Sequence, residues 1–377
     1  MSTERTAYAV ITGLGTAVRG LTGPRDLLGP LPAGYRDAAD PVSRLKGRGL
    51  RYKDRATRLG MAAAADALRA AGLTDDNGAL TVPGESVGVV ASTNYGNADT
   101  VCEVVRTIAD STYLATSPMM LPATSSNVVA SWVAITHGLR GANLTLCNGP
   151  TSGLDAVNWA RLLIAAGRVE RVLVLGVEPD NAAVRHVTGT PEATVAENPT
   201  AVPELFDGAV ALVVESDASA RARGARHLAA VGPYARRGDH AEAVAAVRSR
   251  HAGRIGLWCV PEHPEGVTAP AAGLGTGAGS APVHDLSALY GPASGALGVL
   301  QCVAAAVWLG GRAGDRVDDS EAVLASTGTG DAGWDDASAA LLLTGPGALP
   351  AAPGTARPRS EAVPGAVPVA QPVGDTR

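Results

Sequence analysis

Aromatic side chains are scarce in this 377-residue chain: they make up 3% of it, with a single phenylalanine, Phe206. A core with so few rings has to be assembled from Ala, Val and Leu, whose small size suits close packing of helices on sheets. Cysteine is sparse too. Cys102, Cys147, Cys259 and Cys302 are far apart and form no CxxC or His/Cys spacing. That argues against a zinc site or a disulfide framework and for four reduced thiols, and it implies no metal or other cofactor. Charge of one sign is lacking as well. A net −5 over this length supplies no electrostatic reason for a nucleic-acid or membrane partner. The start, Met1 followed by STERT, is polar, and no apolar run of secretory or spanning length is expected there or elsewhere, which points to a soluble cytoplasmic protein. The length allows two domains with a sizeable buried core.

What is present is a rhythm of apolar strands and glycine-ended helices. YAVITGLGTAV opens the chain as a β-branched run that the Gly-Leu-Gly is expected to close in a tight turn. The spacing of Leu59, Ala62, Ala63 and Leu68 predicts an amphipathic helix from about Asp54 to a glycine end at Gly72. SVGVVAS (86–92) and RVLVLGVE (171–178) read as strands, the second so continuously apolar that both of its faces must be covered. Between them TSGLDAVNWARLLIAAGRV reads as a strong helix. ALVVES (211–216) follows, then a charged bridge, DASARARGARH, and a strand at LAAVGPYA. A Gly/Pro-rich loop (260–282), an apolar helix (295–309) and a strand ASAALLL (337–343) complete the pattern. The shared rhythm suggests paired α/β units: residues 1–223, residues 224–345, and a tail over 346–377 too rich in Pro and Ala to bury surface, hence disordered.

The stretch LTLCNGPTSGLDAV joins a strand, a glycine turn and a helix N-terminus. Free N–H groups and the helix dipole at such an elbow favour a thiolate nucleophile and an oxyanion. The stretch resembles the active-site elbow of β-ketoacyl synthases, especially those of type II polyketide synthases, in the residues from Thr151 to Val157 and in Gly149. VITGLG, DRATRLGMAAAADALRAAGL, HGLRGANLTLC, RVLVLGVE, LYGPASGALGVLQCVAAAVW and GWDDASAALLL resemble further motifs of that family in order, over most of residues 5–345. The resemblance implies an α/β chain with the thiolase-like five-layered α-β-α-β-α fold made of two similar halves.

The departures fall on catalytic positions. Pro150 stands where the family has its nucleophilic cysteine, and it also lacks the N–H that helps form the oxyanion hole. Pro292 stands at one catalytic histidine and Leu274 at the other, so no residue is assigned a catalytic role. None of His137, His186, His227, His240, His251, His263 and His284 has the family's context. Proline is also a good helix initiator, a structural reading compatible with a dead site. The chain thus resembles the chain length factor, the ketosynthase-like subunit without the active-site cysteine that pairs with an active ketosynthase, although the usual chain length factor has Gln where Pro150 stands. The resemblance implies a heterodimer, service by an acyl carrier protein, and a tunnel controlling polyketide length. Met119, Met120 and Leu121 are the expected tunnel or interface residues, and Trp334 an expected pocket plug. The basic residues Arg44, Lys46, Arg48, Arg51, Lys53, Arg55 and Arg58 form a possible carrier-protein docking surface or an ordinary solvated face. The alternative is a divergent homodimeric condensing or acyl-transfer enzyme using another nucleophile such as Cys147. At that place a thiol is more often a small buried hydrophobe, and Ser152 and Asp155 are weaker catalytic candidates. A third reading is a structural subunit that stabilises its partner and shapes no product.

Overall fold

The computed structural model describes residues 8–47, 49–191, 203–262, 281–311, 321–328 and 337–345. The chain begins with β1 (Ala9–Val18), α1 (Arg55–Ala70), β2 (Val87–Ser92), α2 (Ala98–Asp110), α3 (Val128–His137), β3 (Asn143–Leu146), α4 (Ser152–Ala165), β4 (Arg171–Glu178), α5 (Ala182–Thr188) and β5 (Gly208–Ser216). It continues through α6 (Asp217–Ala222), β6 (Ala229–Arg237), α7 (His240–Arg248), β7 (Ile255–Cys259), β8 (Val283–His284), α8 (Leu286–Tyr290), α9 (Leu297–Gly311), β9 (Ala322–Thr327) and β10 (Ser338–Thr344).

The ten strands run in the order β3-β2-β4-β5-β1-β6-β10-β9-β7-β8. Read outward from the β1–β6 seam, the two sides follow one plan. Adding five to each strand number of 1-5-4-2-3 gives 6-10-9-7-8. The senses match as well. The two outer pairings are parallel on each side (β3–β2 and β2–β4; β8–β7 and β7–β9), and the two inner ones are antiparallel. The seam itself is short, with Ala9, Val10 and Ile11 opposite Val231, Ala230 and Ala229.

Alternation along the strands divides the core into layers. Val172 and Val174 of β4, Val210 and Leu212 of β5, and Leu341 and Leu343 of β10 share one central cluster with α4 and α9. The opposite faces of β4 and β5 (Leu173, Leu175, Ala211, Val213) pack on α1 and α3. Leu324 and Leu342 face α7 instead. Helix, sheet, helix pair, sheet, helix is the five-layered arrangement expected. It also explains RVLVLGVE: β4 is buried over its whole length because helices cover both faces.

Three expectations need correction. The Gly-Leu-Gly near the start does not turn the chain; β1 runs through it. Gly13 and Gly15 are there because α1 lies against the strand. A Cβ would stand 2.4 Å from the Ala67 carbonyl at Gly13 and 2.1 Å from the Ala63 carbonyl at Gly15. The bridge after β5 is partly helical, since Ser216 caps α6 by accepting from the Ser219 N–H. Finally, Ser294–Gly311 is long and apolar enough by length and composition to cross a membrane, against the expectation of no such run. It is mostly buried, because α9 lies between the two sides of the sheet with α4. Those two helices touch backbone to backbone: a Cβ on Gly298 would be 2.3 Å from the Leu154 nitrogen. Most of the Gly/Pro-rich 260–282 loop and all of 346–377 lie outside the described residues.

Candidate active-site elbow

The strand β3 ends at Leu146, and the chain reaches α4 through Cys147, Asn148 and a single 3-10 turn, Gly149–Thr151. Gly149 has φ +82°, a left-handed conformation that glycine adopts without a Cβ penalty. Pro150 lies inside the turn, where its fixed φ is compatible with a helix start and its missing N–H leaves no donor unpaired. The helix initiation expected for Pro150 is therefore found. Pro292 does not lie in a helix; it stands before the N-cap Ala293 of the 3-10 turn Ser294–Ala296, and its carbonyl accepts from the Phe206 N–H at 3.0 Å.

The elbow's own hydrogen-bonding groups are consumed internally. The Asn148 N–H donates to Ser152 Oγ at 2.8 Å, and the Gly149 N–H donates to Asn94 Oδ1 at 3.3 Å. Ser152 Oγ lies 2.7 Å from Asn148 Oδ1 and 3.1 Å from Asn94 Oδ1. Buried Asp155 accepts from Asn148 Nδ2 at 2.5 Å, from Thr151 Oγ1 at 2.8 Å and from the Tyr234 hydroxyl, with Arg236 Nε 3.9 Å away. Burial and the bond to Asp155 push the Tyr234 phenol up. Asp155 thus ties the turn to β6, while Ser152 bonds within the turn and to Asn94.

Beyond the turn lies a carboxylate that sequence reasoning missed. Glu178, the last residue of β4, is buried and accepts from the Asn94 N–H (2.6 Å), the Tyr95 N–H (3.1 Å), Thr93 Oγ1 (3.2 Å) and the Gly295 N–H (3.2 Å). Burial pushes its carboxyl up to about 8 even though the four donors favour the ionised form. Glu262 Oε1 caps the next turn, accepting from the Ala293 and Ser294 N–H groups at 2.5 and 2.6 Å. A cleft of about 350 Å³ opens here, lined by Tyr95, Glu178, Val184, Phe206, Glu262 and Pro292 among others. No histidine of the described residues lines it. The signal for Glu178 in the sequence is a carboxylate closing an otherwise apolar strand.

Other expected residues fall elsewhere. Cys147 is an exposed thiol, not the buried small hydrophobe its place on the strand side suggested, because β3 is an edge strand with only β2 beside it. All four cysteines are free, and no group of three or more metal-ligating side chains occurs among the described residues. Met119 and Leu121 are exposed and Met120 half-buried, in and before the 3-10 turn Leu121–Thr124. Leu274 and Trp334 lie outside the described residues, as does Arg48.

The basic stretch is less free than its sequence suggests. Arg55 forks onto Asp207 and reaches Asp40, Arg44 pairs with Asp66, and Lys53 Nζ sits 3.3 Å from the centre of the Trp132 ring. These three hold the 40–55 loop to the body. Lys46 and Arg51 remain exposed.

The β-ketoacyl synthase N-terminal domain family matches residues 26–198. Among curated proteins, 3-oxoacyl-[acyl-carrier-protein] synthase 2 of Vibrio harveyi is 30% identical over 195 residues, covering 48% of this chain and 46% of that protein. The granaticin polyketide putative beta-ketoacyl synthase 1 of Streptomyces violaceoruber is 29% identical over 274 residues, covering 62% and 64%. The chain therefore spans between about half and two thirds of the length of these relatives. Among solved structures, the ishigamide ketosynthase/chain length factor superposes with a TM-score of 0.65 at 24% identity, over 89% of this chain and 99% of that one. A type II polyketide synthase acyl-carrier protein in complex with its ketosynthase superposes at 0.68 and 16%, over 90% and 99%. The match over residues 26–198, the repeated sheet plan and the strand-turn-helix elbow agree: this part of the chain is similar to the β-ketoacyl synthase N-terminal domain, and the chain has the thiolase-like ketosynthase fold.

Proposed function

We propose that the chain is a non-catalytic ketosynthase-like subunit, a chain length factor, that pairs with an active ketosynthase and shapes the tunnel in which a polyketide chain grows. The reading rests on Pro150. A side chain with no nucleophile and a residue with no N–H occupy the elbow, at the position that resembles the family's cysteine. Two further features support a partner. The edge strand β3 has one side of its backbone unpaired, and Ile135 on α3 with Trp159 and Leu162 on α4 are exposed beside it. Exposed apolar groups of this kind mark protein interfaces. Met119, Met120 and Leu121 are tunnel or interface residues in this reading. An acyl carrier protein delivers the chain, with Lys46 and Arg51 as exposed cations of the basic stretch, Arg51 resting on the Tyr52 ring, and the complex is cytoplasmic.

Co-expression with a ketosynthase, followed by light scattering on the purified particle, tests the reading. The expected outcome is a 1:1 heterodimer, with this chain insoluble or aggregated when made alone. The exposed thiol of Cys147 favours one competing reading, a homodimeric acyl-transfer enzyme. A well-behaved homodimer that loses acyl transfer on Cys147→Ser would establish that reading and overturn ours.

A further inference from the structure

The loss at the elbow is more than the absence of a nucleophile. An acyl carbonyl placed there would need backbone donors to hold its developing negative charge. Along 148–150 none is available: the Asn148 N–H is bonded to Ser152 Oγ, the Gly149 N–H to Asn94 Oδ1, and Pro150 has none. The residue that closes the set is Asn94, which comes from a turn 55 residues earlier. Its side-chain amide has two donors and one oxygen able to accept twice, and both donors and at least one acceptor position are used. Nδ2 donates to the Gly149 carbonyl at 3.1 Å and to Ser294 Oγ at 2.9 Å, while Oδ1 accepts from the Gly149 N–H and competes with Asn148 Oδ1 for the single Ser152 hydroxyl proton.

Asn94 is itself fixed. Its backbone N–H donates to Glu178 Oε1 at 2.6 Å, and Glu178 also takes the Gly295 N–H, so one buried carboxylate ties the Asn94 turn to the Ser294 turn. Ser294 is the one non-glycine among the described residues with positive φ, +43°. Such backbone persists where the surroundings over-determine it, and the bond from Asn94 is part of that surrounding.

From this geometry we infer that Asn94 is a plug: its amide fills the elbow's hydrogen-bonding space and closes it to acyl groups independently of Pro150. The inference rests on the reading of the elbow as a degenerate acyl site. It implies that Pro150→Cys, which restores a thiol and the N–H at position 150, still accepts acyl groups more slowly than the same variant without the Asn94 side chain. Asn94 acts through Gly149 and Ser294 and is therefore a positioning residue.

The test uses the full-length chain in a Cys147→Ser background, with Pro150→Cys alone and combined with Asn94→Gly. The probe is hexanoyl-N-acetylcysteamine, with the modified peptide identified by mass spectrometry. In the step measured, the introduced thiolate forms a C–S bond to the hexanoyl carbonyl and the bond to N-acetylcysteamine breaks. The leaving thiolate takes up the proton that the introduced thiol released. Since one oxyanion donor is worth ~10²–10³ in rate, the double variant should acylate at least about ten-fold faster than Pro150→Cys alone. Freeing the Gly149 N–H should also lower the midpoint of iodoacetamide alkylation against pH, because a donor to the thiolate favours the charged form. Equal acylation rates and equal midpoints in the two variants would overturn the plug, while leaving the subunit reading to the co-expression result. If Asn94→Gly unfolds the elbow, hydrogen exchange on the unsubstituted chain decides. Strong protection of the Gly149 amide supports the plug, and exchange at the free-peptide rate overturns it.

Discussion

The strands β1–β5 and β6–β10 repeat one plan in one register of senses, yet they present different surfaces. Among the described residues, the exposed large apolar side chains fall almost wholly on the first side: Val105, Ile108, Leu114, Met119, Ile135 and Trp159 are examples. The second side contributes Val283. The edges differ too, since β3 has four residues and β8 two. The topology is thus shared while the outward chemistry is not. Repetition accounts for the scaffold, and the exposed apolar groups of the described residues lie mostly on the first side.

The largest way to break this comparison is at the helix pair that both sides share. Gly298→Val places atoms where the α4 backbone already lies, and neither helix can retreat between two sheets. We expect a loss above about 3 kcal/mol, seen as insoluble expression or a collapsed urea midpoint. A soluble variant with an unchanged midpoint would mean the layers are not locked there. Next in size, Ile135→Glu combined with Trp159→Glu should weaken co-purification with a ketosynthase by ~2 kcal/mol or more, whereas Val283→Glu should leave it unchanged. Equal effects would erase the asymmetry between the sides.

A pH series sharpens the comparison at the cleft. The folded Glu178 carboxyl is raised to about 8, so its contribution to stability is fully present below the unfolded glutamate pKa and declines as pH rises from there through 8. Glu178→Gln should flatten that part of a melting-temperature profile relative to the unsubstituted protein. An identical slope in both would show that Glu178 stays ionised in the fold. The smallest effect is expected at Tyr234→Phe. It removes one of the bonds by which β6 holds Asp155 of α4, for about 1 kcal/mol in urea unfolding.

How much of this was readable beforehand depended on how local the cause was. Asp54 caps α1 through the Thr57 N–H three residues away, and Gly72 ends it at φ +69°; both are signals within one helix. β4 was legible because burial on both faces writes an unbroken apolar run. β1 was misread because Gly13 and Gly15 answer to α1, about fifty residues later, and a glycine pair carries no mark of which neighbour requires it. The elbow itself was legible as strand, turn and helix, but its closure was not. Asn94 bonds Gly149, 55 residues further along, and Glu178 holds the Gly295 turn, 117 residues further along. A side chain's type says what it can bond to and nothing about which distant turn the fold brings to it.

The central position of β1 has a cost in time. Ala9 pairs with Ser216 on one side and Val231 on the other, so β1 has no partner until over two hundred residues have followed it. At ribosomal speeds of ~5–20 residues per second that is a wait of roughly ten to forty seconds. Throughout that interval an apolar ribbon with two open edges is held only by what α1 can cover. Non-local pairing of this kind folds slowly and is exposed to aggregation while it waits. Success in producing the chain should therefore depend on what shelters β1 during synthesis as much as on the stability of the finished fold.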